Sequence, residues 1–245
     1  MIKRWALFIL TNILVVTTIG IILNLLGVRG YMTANGIDYQ ALLVFCLVWG
    51  MAGSFISLAI SRITAKMMMG VKVIDPKSPG EFAGLVSTVH DLARKAKLPV
   101  MPEVGIYNSP EVNAFATGPT KSRSLVAVST GLLQNMSKDE VDGVLAHEVA
   151  HIQNGDMVTM TLIQGVVNAF TMFLARAISF AVSQQVEESK RPLVNMFVTL
   201  FLDLALGFLG YLVVAKFSRD REFRADKGSA KLLGGAQKMR AALES

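Results

Sequence analysis

Hydrophobic and polar positions alternate along the chain in long blocks, and four of the blocks are apolar over about twenty residues or more. Residues 5–27 and 39–60 carry no charged side chain, and each is long enough to cross a hydrocarbon core of about 30 Å. Residues 157–183 and 193–215 are also apolar, with a few polar interruptions. The pattern predicts two N-terminal transmembrane helices and, later, two segments that form either two spans or a hairpin that enters the membrane and returns.

The last apolar block contains one acidic residue, Asp203, near its middle. A charge at that depth of a membrane is costly unless it is paired or hydrated. Arg176 and Asn168 lie on the preceding apolar block, which runs antiparallel to the last block if both cross. We therefore expect Asp203 to contact one of these two side chains.

Residues 62–136 are less apolar, and in them apolar and polar residues alternate every few positions and not in long blocks. Apolar side chains recur at helical spacing over residues 81–97, with basic residues in the last turn, which predicts an amphipathic helix. Three short runs of β-type residues follow, at residues 104–107, 112–117 and 125–129, and turn residues separate them. The predicted fold is therefore α+β: a helical membrane protein with four hydrophobic segments and a cytoplasmic domain of helices and a small, mainly antiparallel sheet.

Composition and charge strengthen the membrane interpretation. Hydrophobic residues make up 52% of the chain and the mean hydropathy is +0.48, which is too apolar for an ordinary soluble domain. The net charge of +6 comes from basic residues beside the apolar blocks, so it indicates contact with an anionic lipid bilayer and not with nucleic acid. By the positive-inside rule, the N-terminus and the polar region after the second span face the cytoplasm.

The blocks divide the chain into four parts. These are two N-terminal transmembrane helices, a cytoplasmic domain, two further hydrophobic segments and a C-terminal cytoplasmic helix, at residues 1–61, 62–156, 157–215 and 216–245. Because the number of crossings is even, the C-terminal helix is expected on the same side of the membrane as the cytoplasmic domain.

The candidate chemistry lies on one predicted helix, residues 137–155, whose opening S-K-D-E is a capping-box pattern. His147 and His151 are four residues apart, so they lie about 40° apart on one helical face and both imidazoles reach a single metal ion. Glu148 follows the first histidine, where an H-E-x-x-H enzyme has the carboxylate that deprotonates the attacking water. The sequence predicts a metal site here, with Glu148 as the general base, and the cytoplasmic domain is therefore expected to be zincin-like.

A third ligand is predicted in the stretch S-R-D-R-E-F-R-A-D, residues 218–226, at the opening of a second helix. Glu222 and Asp226 are four residues apart and share a face. Two histidines and a glutamate form a standard ligand set for catalytic zinc, with a fourth position left open. Glu222 is then the third Zn²⁺ ligand, and Asp226 accepts a hydrogen bond from the free ring N–H of His147. The alternative is a solvated helix in which Glu222 pairs with Arg219 or Arg221.

Together these residues resemble the HtpX-type family of membrane zinc metallopeptidases, which is related to the CaaX prenyl endopeptidases. The resemblance rests on H-E-V-A-H followed by Asp156, on the pair Glu222-x-x-x-Asp226 and on N-A-F-A-T-G at residues 113–118. In such enzymes the last stretch is an edge strand beside the metal, against which a substrate chain lies extended. The resemblance therefore implies four substrate-binding residues, Asn113, Ala114, Phe115 and Ala116.

The resemblance also implies a function and a place in the cell. It implies a Zn²⁺-dependent endopeptidase of the bacterial inner membrane that cleaves cytoplasmic regions of damaged or misfolded membrane proteins. Polar residues flank H-E-V-A-H on both sides, so the site is expected at the membrane surface, facing the cytoplasm. The alternatives are a prenyl-peptide endopeptidase and a non-enzymatic metal-binding membrane protein.

Two points stay open at this stage. The donor that stabilises the oxyanion is one of Tyr107, Tyr211 and Arg219, and the residues do not choose among them. Family members usually continue beyond the position of Ser245, so the sequence is expected to be part of a longer chain or a short member.

Overall fold

The computed structural model of the chain describes residues 13, 16–27, 30–33 and 36–235. Part of the predicted first span lies outside the described residues, and its described part contains helix α1 (Val16–Leu25). The elements that follow in chain order are β1 (Met32–Thr33), β2 (Gly36–Ile37), α2 (Tyr39–Met68), β3 (Lys72–Val73), α3 (Ala83–Lys95), β4 (Glu103–Tyr107), β5 (Ala114–Thr120), β6 (Arg123–Ser129), α4 (Thr130–Asn135), α5 (Lys138–Asn154), α6 (Asp156–Ser183) and α7 (Arg191–Leu233).

These elements form two compact units. The first, which we call the helical unit, comprises Met1–Ser57 and Met160–Phe217. The second, which we call the sheet unit, comprises Leu58–Thr159 and Ser218–Ser245.

The helical unit contains long apolar helices. In the part of the chain that the structure describes, three helices are long and apolar enough to cross a membrane: α2, α6 and the helical stretch from Glu188 that contains α7. They correspond to the second, third and fourth apolar blocks, so the predicted helical membrane part is confirmed. Each of the last two blocks forms a helix with the length of a full span.

Small residues let α2 and α6 approach each other closely. A side chain on Gly50 would place its Cβ 2.5 Å from the backbone nitrogen of Ala169, which is too close for any residue but glycine. Between apolar helices in lipid, such close backbone packing supplies contact energy that hydrophobic burial does not. The contact therefore fixes these two helices against each other within the helical unit.

One ion pair joins α6 and α7 in the helical unit. Arg176 Nη1 lies 3.7 Å from Asp203 Oδ1, and Arg176 is one of the two partners that the sequence predicted. The other, Asn168, accepts a hydrogen bond from Gln164 instead. The pair borders a cavity of about 370 Å³ that Thr199 also lines. The acidic residue of the last block is thus compensated by an opposite charge.

The sheet unit is built on a four-stranded sheet with the strand order β3-β4-β6-β5. Two neighbouring pairs, β3 with β4 and β5 with β6, are antiparallel, and β4 pairs with β6 in parallel. The predicted small, mainly antiparallel sheet is therefore confirmed. Strand β3 was not predicted, because two residues are too short to show a period of two. Strand β5, which contains the N-A-F-A-T-G stretch from Ala114 onward, forms one outer edge of the sheet.

Helices α3 and α5 pack on this sheet around a hydrophobic core. Its largest contributors come from α3, β6 and α5, and they are Val89, Leu92, Val126, Val128, Leu145, Val149 and Ile152. All seven are at most 3% exposed, so one face of α5 is held firmly against the sheet. The position of the H-E-V-A-H residues is thereby set by the core.

Helix α7 differs from the prediction. The sequence predicted a new helix opening at residue 218, but α7 continues without a break from Arg191 to Leu233. The polar stretch S-R-D-R, residues 218–221, is typical of a helix start. Arginine is nearly as good a helix former as alanine, however, and no proline occurs in residues 193–233. The four-residue spacing that places Glu222 and Asp226 on one face is unchanged by this correction.

Candidate metal centre

Helix α5 has defined ends. Ser137 Oγ accepts a hydrogen bond from the Glu140 N–H at 3.5 Å, and the Glu140 carboxylate accepts one from the Ser137 N–H at 2.6 Å. This is the predicted capping box, and the backbone bond lowers the pKa of Glu140. The helix ends at Gly155, whose φ of +72° is left-handed, a conformation that glycine adopts without a steric penalty. His147 and His151 therefore lie in its regular C-terminal half.

Three predicted residues meet at one point. His147 Nε2 and His151 Nε2 are 3.0 Å apart, and Glu222 Oε2 lies 3.2 Å from the first and 3.3 Å from the second. With metal-to-ligand distances near 2.1 Å, ligand atoms around a tetrahedral zinc ion lie about 3.4 Å apart, close to the sides of this triangle. The triangle therefore has the size that one small cation requires.

The exposure of these side chains leaves one side of the triangle open. His147 and His151 are 17% and 11% exposed, whereas the Glu222 side chain is 43% exposed. A catalytic metal site keeps a position free for water or substrate. The centre is therefore accessible from the side of Glu222.

The other ring nitrogens face carboxylates. His151 Nδ1 lies 2.7 Å from Asp156 Oδ2, and Asp156 is only 2% exposed. His147 Nδ1 lies 2.9 Å from Asp226 Oδ1, within ion-pair distance but without the alignment of a hydrogen bond. A carboxylate at Nδ1 fixes the tautomer in which Nε2 offers its lone pair to a metal. The structure thus places Asp226 beside His147, and the predicted hydrogen bond between them stays a prediction.

The contact of Asp156 with His151 was missed by the sequence reasoning. Asp156 was noted only as a residue that follows H-E-V-A-H. One feature of the sequence could have indicated this contact: Gly155, which follows His151 by four residues and directly precedes Asp156. A glycine in this place is typical of a helix end, after which the chain changes direction. The carboxylate that follows such a turn can reach back to the last turn of the helix.

Two arginines of α7 contact these carboxylates: the pairing of Glu222 with Arg221 was the predicted alternative for this stretch, and the contact of Arg224 with Asp156 was not predicted. Arg221 Nε donates to Glu222 Oε1 at 2.9 Å, and Arg224 Nη2 lies 3.5 Å from Asp156 Oδ1. Both guanidinium groups therefore contact a carboxylate of the centre, and Arg221 contacts a candidate ligand directly.

Glu148 lies beside the triangle and next to the edge strand. Burial raises the pKa of Glu148 to about 7, while the nearby His147 and a hydrogen bond from the Ala116 N–H act in the opposite direction. A carboxylate with a pKa near neutrality is suited to accept and return a proton in one reaction cycle. The geometry therefore places a proton-transfer group next to the three candidate ligands.

Strand β5 presents its outer edge at the same place. The Asn113 C=O accepts a hydrogen bond from the Ser129 N–H of β6 at 2.9 Å. Because backbone groups alternate in an antiparallel ladder, those of Phe115 also face β6. The N–H and C=O groups of Ala114 and Ala116 then point toward the outer edge, in agreement with the bond from Ala116 to the base.

The three candidates for an oxyanion donor have different surroundings. The Tyr107 hydroxyl is close to the Asn113 C=O at 3.5 Å and the residue is 4% exposed. Tyr211 belongs to the helical unit, and Arg219 is exposed. None of the three makes a described contact with the triangle, so the geometry does not select a donor among them.

Comparison with known proteins supports a peptidase. Residues 79–245 match Peptidase family M48. The chain is 58% identical over 242 residues to the Protease HtpX homolog of Bacillus subtilis (strain 168), covering 96% of this chain and 81% of that protein. It is 52% identical over 242 residues to the Protease HtpX homolog of Acidovorax ebreus (strain TPSY), covering 97% and 82%.

A similar fold occurs among solved structures. The crystal structure of S. mikatae Ste24p superposes with a TM-score of 0.64 at 18% sequence identity, over 99% of this chain and 59% of that chain. The chain thus spans less than two thirds of that protein. At this identity the likeness concerns the fold alone.

Proposed function

Because the chain belongs to Peptidase family M48 and is a membrane-bound metalloprotease, we propose that it is a zinc endopeptidase whose ligands are His147, His151 and Glu222. The observation that carries this proposal is the triangle of two Nε2 atoms and one carboxylate oxygen, with sides of 3.0 to 3.3 Å. The family implies a metal cofactor, and these residues fit one. Family membership also argues against the alternative of a non-enzymatic protein.

The donor set supports zinc as the ion. Two imidazole nitrogens and one carboxylate oxygen suit a four-coordinate zinc ion, whereas calcium and magnesium prefer six or more oxygen ligands. Arg221 occupies the second oxygen of Glu222, so the carboxylate has one oxygen left for an ion. When bound, zinc would supply a Lewis acid and lower the pKa of water toward about 7.

Glu148 is the proposed general base. Its carboxylate would take a proton from the attacking water and deliver it to the leaving amine, a role that requires a pKa near the working pH. The hydrogen bond to Asp156 orients the His151 ring for this chemistry. Asp226 lies at His147 Nδ1 and would orient that ring once the two groups align.

The proposed substrate lies along β5 as an additional strand. The outward N–H and C=O of Ala114 and the outward C=O of Ala116 would bond the substrate backbone, as in β-augmentation, while the Ala116 N–H bonds Glu148. Asn113 and Phe115 would act differently, because their backbone groups face β6 and fix the strand. The four residues named from the sequence thus divide into two that bind substrate and two that hold the edge in place.

We further propose that the active site faces the cytoplasm of a bacterial inner membrane and that substrates are exposed regions of damaged or misfolded membrane proteins. Support comes from the similarity to bacterial HtpX homologues and from basic residues at the end of the second apolar block, such as Arg62 and Lys66. Both side chains bind Glu103 of β4, at 2.6 and 2.7 Å.

The test compares the purified, detergent-solubilised wild type with Glu148→Gln. The wild type should contain about one zinc ion per chain and cleave casein, and a chelator should stop the cleavage. Glu148→Gln should retain zinc but lose about 10²- to 10⁴-fold in rate. Asp142→Asn on the same helix is the matched control and should remain active. Cleavage by Glu148→Gln at the wild-type rate would refute the assigned base.

A further inference from the structure

An apolar cavity of about 420 Å³ lies in the sheet unit between the start of β5, helix α4 and helix α5. Its apolar walls are Val112, Ala114, Leu132, Met136 and Val144, and two asparagines complete the lining. No charged side chain is among these described lining residues. The volume falls within the range of ligand pockets, about 300 to 1,000 Å³.

The cavity lies next to the candidate metal centre along two independent elements. On α5, Val144 precedes His147 by three residues and Glu148 by four, so all three share a face. On β5, Ala114 lines the cavity and Ala116 bonds Glu148. Four helical residues rise about 6 Å and two strand residues about 7 Å. Both paths place the cavity about two extended residues from Glu148.

The wall of the cavity is preformed. Ser129 is fully buried, and its N–H donates to the Asn113 C=O at 2.9 Å. Its Oγ accepts from the backbone N–H groups of Asn113 at 3.1 Å and Leu132 at 3.0 Å, and donates to the Glu111 C=O at 2.6 Å. One hydroxyl therefore ties the segment before β5 to the start of α4, which holds both sides of the cavity in place.

We infer that this cavity is a specificity pocket, which takes an apolar substrate side chain within two residues of the cleaved bond. The inference rests on the proposed function. A substrate strand along the outer edge of β5 would run past Ala114, and one of its alternating side chains would enter the cavity. Leucine, methionine or phenylalanine would bury apolar surface there, whereas aspartate or lysine would lose hydration without gaining an oppositely charged partner among the described lining residues.

The test uses fluorogenic peptides in which one position at a time is varied among Leu, Phe, Ala, Gly, Asp and Lys. The varied positions are the two on each side of the cleaved bond. For the wild-type holoenzyme, Leu or Phe should exceed Gly and Asp by about tenfold or more in kcat/KM at one of these positions. The other positions should show weaker preferences.

Two variants change the size of the pocket. Val144→Phe should abolish the preference for large side chains at that position, and Val144→Ala should shift it from Leu toward Phe. Val141→Ala is the matched control, because Val141 lies one turn earlier on α5 and packs against the core outside the cavity. Zinc content and thermal melting report whether each variant folds. If Val144→Phe does not fold, the preference profile of Val144→Ala alone tests the pocket.

The outcomes separate the inference from the proposed function. A wild type that cleaves with no preference at any of the four positions would overturn the pocket and leave the protease intact. An unchanged preference profile in Val144→Ala would do the same. A wild type that cleaves none of the peptides, or cleaves them equally well with a chelator, would overturn the proposed function and the pocket with it.

Discussion

Each unit of the chain holds a cluster of ionisable side chains, and the two clusters are composed differently. In the helical unit, Arg176 faces Asp203 at 3.7 Å, one positive charge against one negative charge. In the sheet unit, the described contacts join two imidazoles and two guanidinium groups to four carboxylates, those of Glu148, Asp156, Glu222 and Asp226.

The difference lies in the charge balance. The Arg176 pair is neutral as a whole, so it needs no further ion to lie among apolar helices. In the sheet unit, the four carboxylates outnumber the two guanidinium groups by two. A bound cation would offset acidic side chains in such an excess, and bound cations are often the largest local charges of such sites. Of these two clusters, the balanced one joins two helices, and the unbalanced one surrounds the candidate metal ligands.

The variant with the largest expected effect on the sheet-unit cluster is Glu222→Ala. Removing one candidate ligand should leave less than one zinc ion per chain and lower kcat/KM more than 100-fold. Losing a residue that only hydrogen-bonds a ligand typically costs up to about 100-fold, so the loss of a ligand itself should cost more. Elemental analysis and a peptidase assay measure the two effects. Asp220→Ala, an exposed acid on the same helix, is the control. Full zinc content in Glu222→Ala would reassign the third ligand.

Asp156→Asn should have the next largest effect. It removes the charge at His151 Nδ1 while keeping the size of the side chain, so zinc affinity or activity should fall about 10- to 100-fold. Competition with a chromophoric chelator gives the affinity. Asp203→Asn, the corresponding change in the helical unit, should leave zinc affinity unchanged. Equal losses in both variants would remove the distinction between the clusters.

The pH dependence should follow Glu148. Burial raises the pKa of this carboxyl group from 4.5 to about 7, and a bound cation lowers it again. The base is lost when it is protonated, so kcat/KM should fall about tenfold per pH unit below an apparent pKa between these values. A profile from about pH 4 to 9 on enzyme shown to stay folded measures it. A flat profile over that range would contradict the assignment.

The smallest effect on activity is expected from the helical unit. Arg176→Asp and Asp203→Arg should each lower the thermal midpoint in detergent, and the double exchange should recover part of the loss. A coupling of about 0.5 to 3 kcal/mol is typical for residues in contact. Zinc content should not change in any of the three. Strict additivity of the two single variants would show that the pair does not stabilise the unit.

The sequence was sufficient where a short-range rule applied. The spacing of His147 and His151 is set by the helical period, and the capping box set the start of α5 before any tertiary contact was known. Glu222 was found by combining a four-residue spacing with an even number of membrane crossings. The structure brings Glu222 to both histidines, and its role as a ligand stays a prediction.

The features that were missed depend on tertiary contacts. Strand β3 is recognisable only from its pairing with β4. The contact from Asp156 to His151 depends on the direction in which the chain leaves α5. The contact of Arg224 with Asp156 requires knowing which face of α7 meets the end of α5. The continuity of α7 was missed because charged residues are typical of both a helix start and an exposed helix interior.

Only one residue separates α5 from α6, and this short connection restricts insertions and deletions at this point of the chain. Gly155 ends one helix with a φ of +72°, and Asp156 begins the next and reaches back to His151. Each residue turns an α-helix by about 100°. An insertion or deletion here would swing the Asp156 carboxylate away from the imidazole while all three candidate ligands kept their identity. The candidate metal centre therefore depends on the number of residues between His151 and Asp156 as well as on the identity of the ligands.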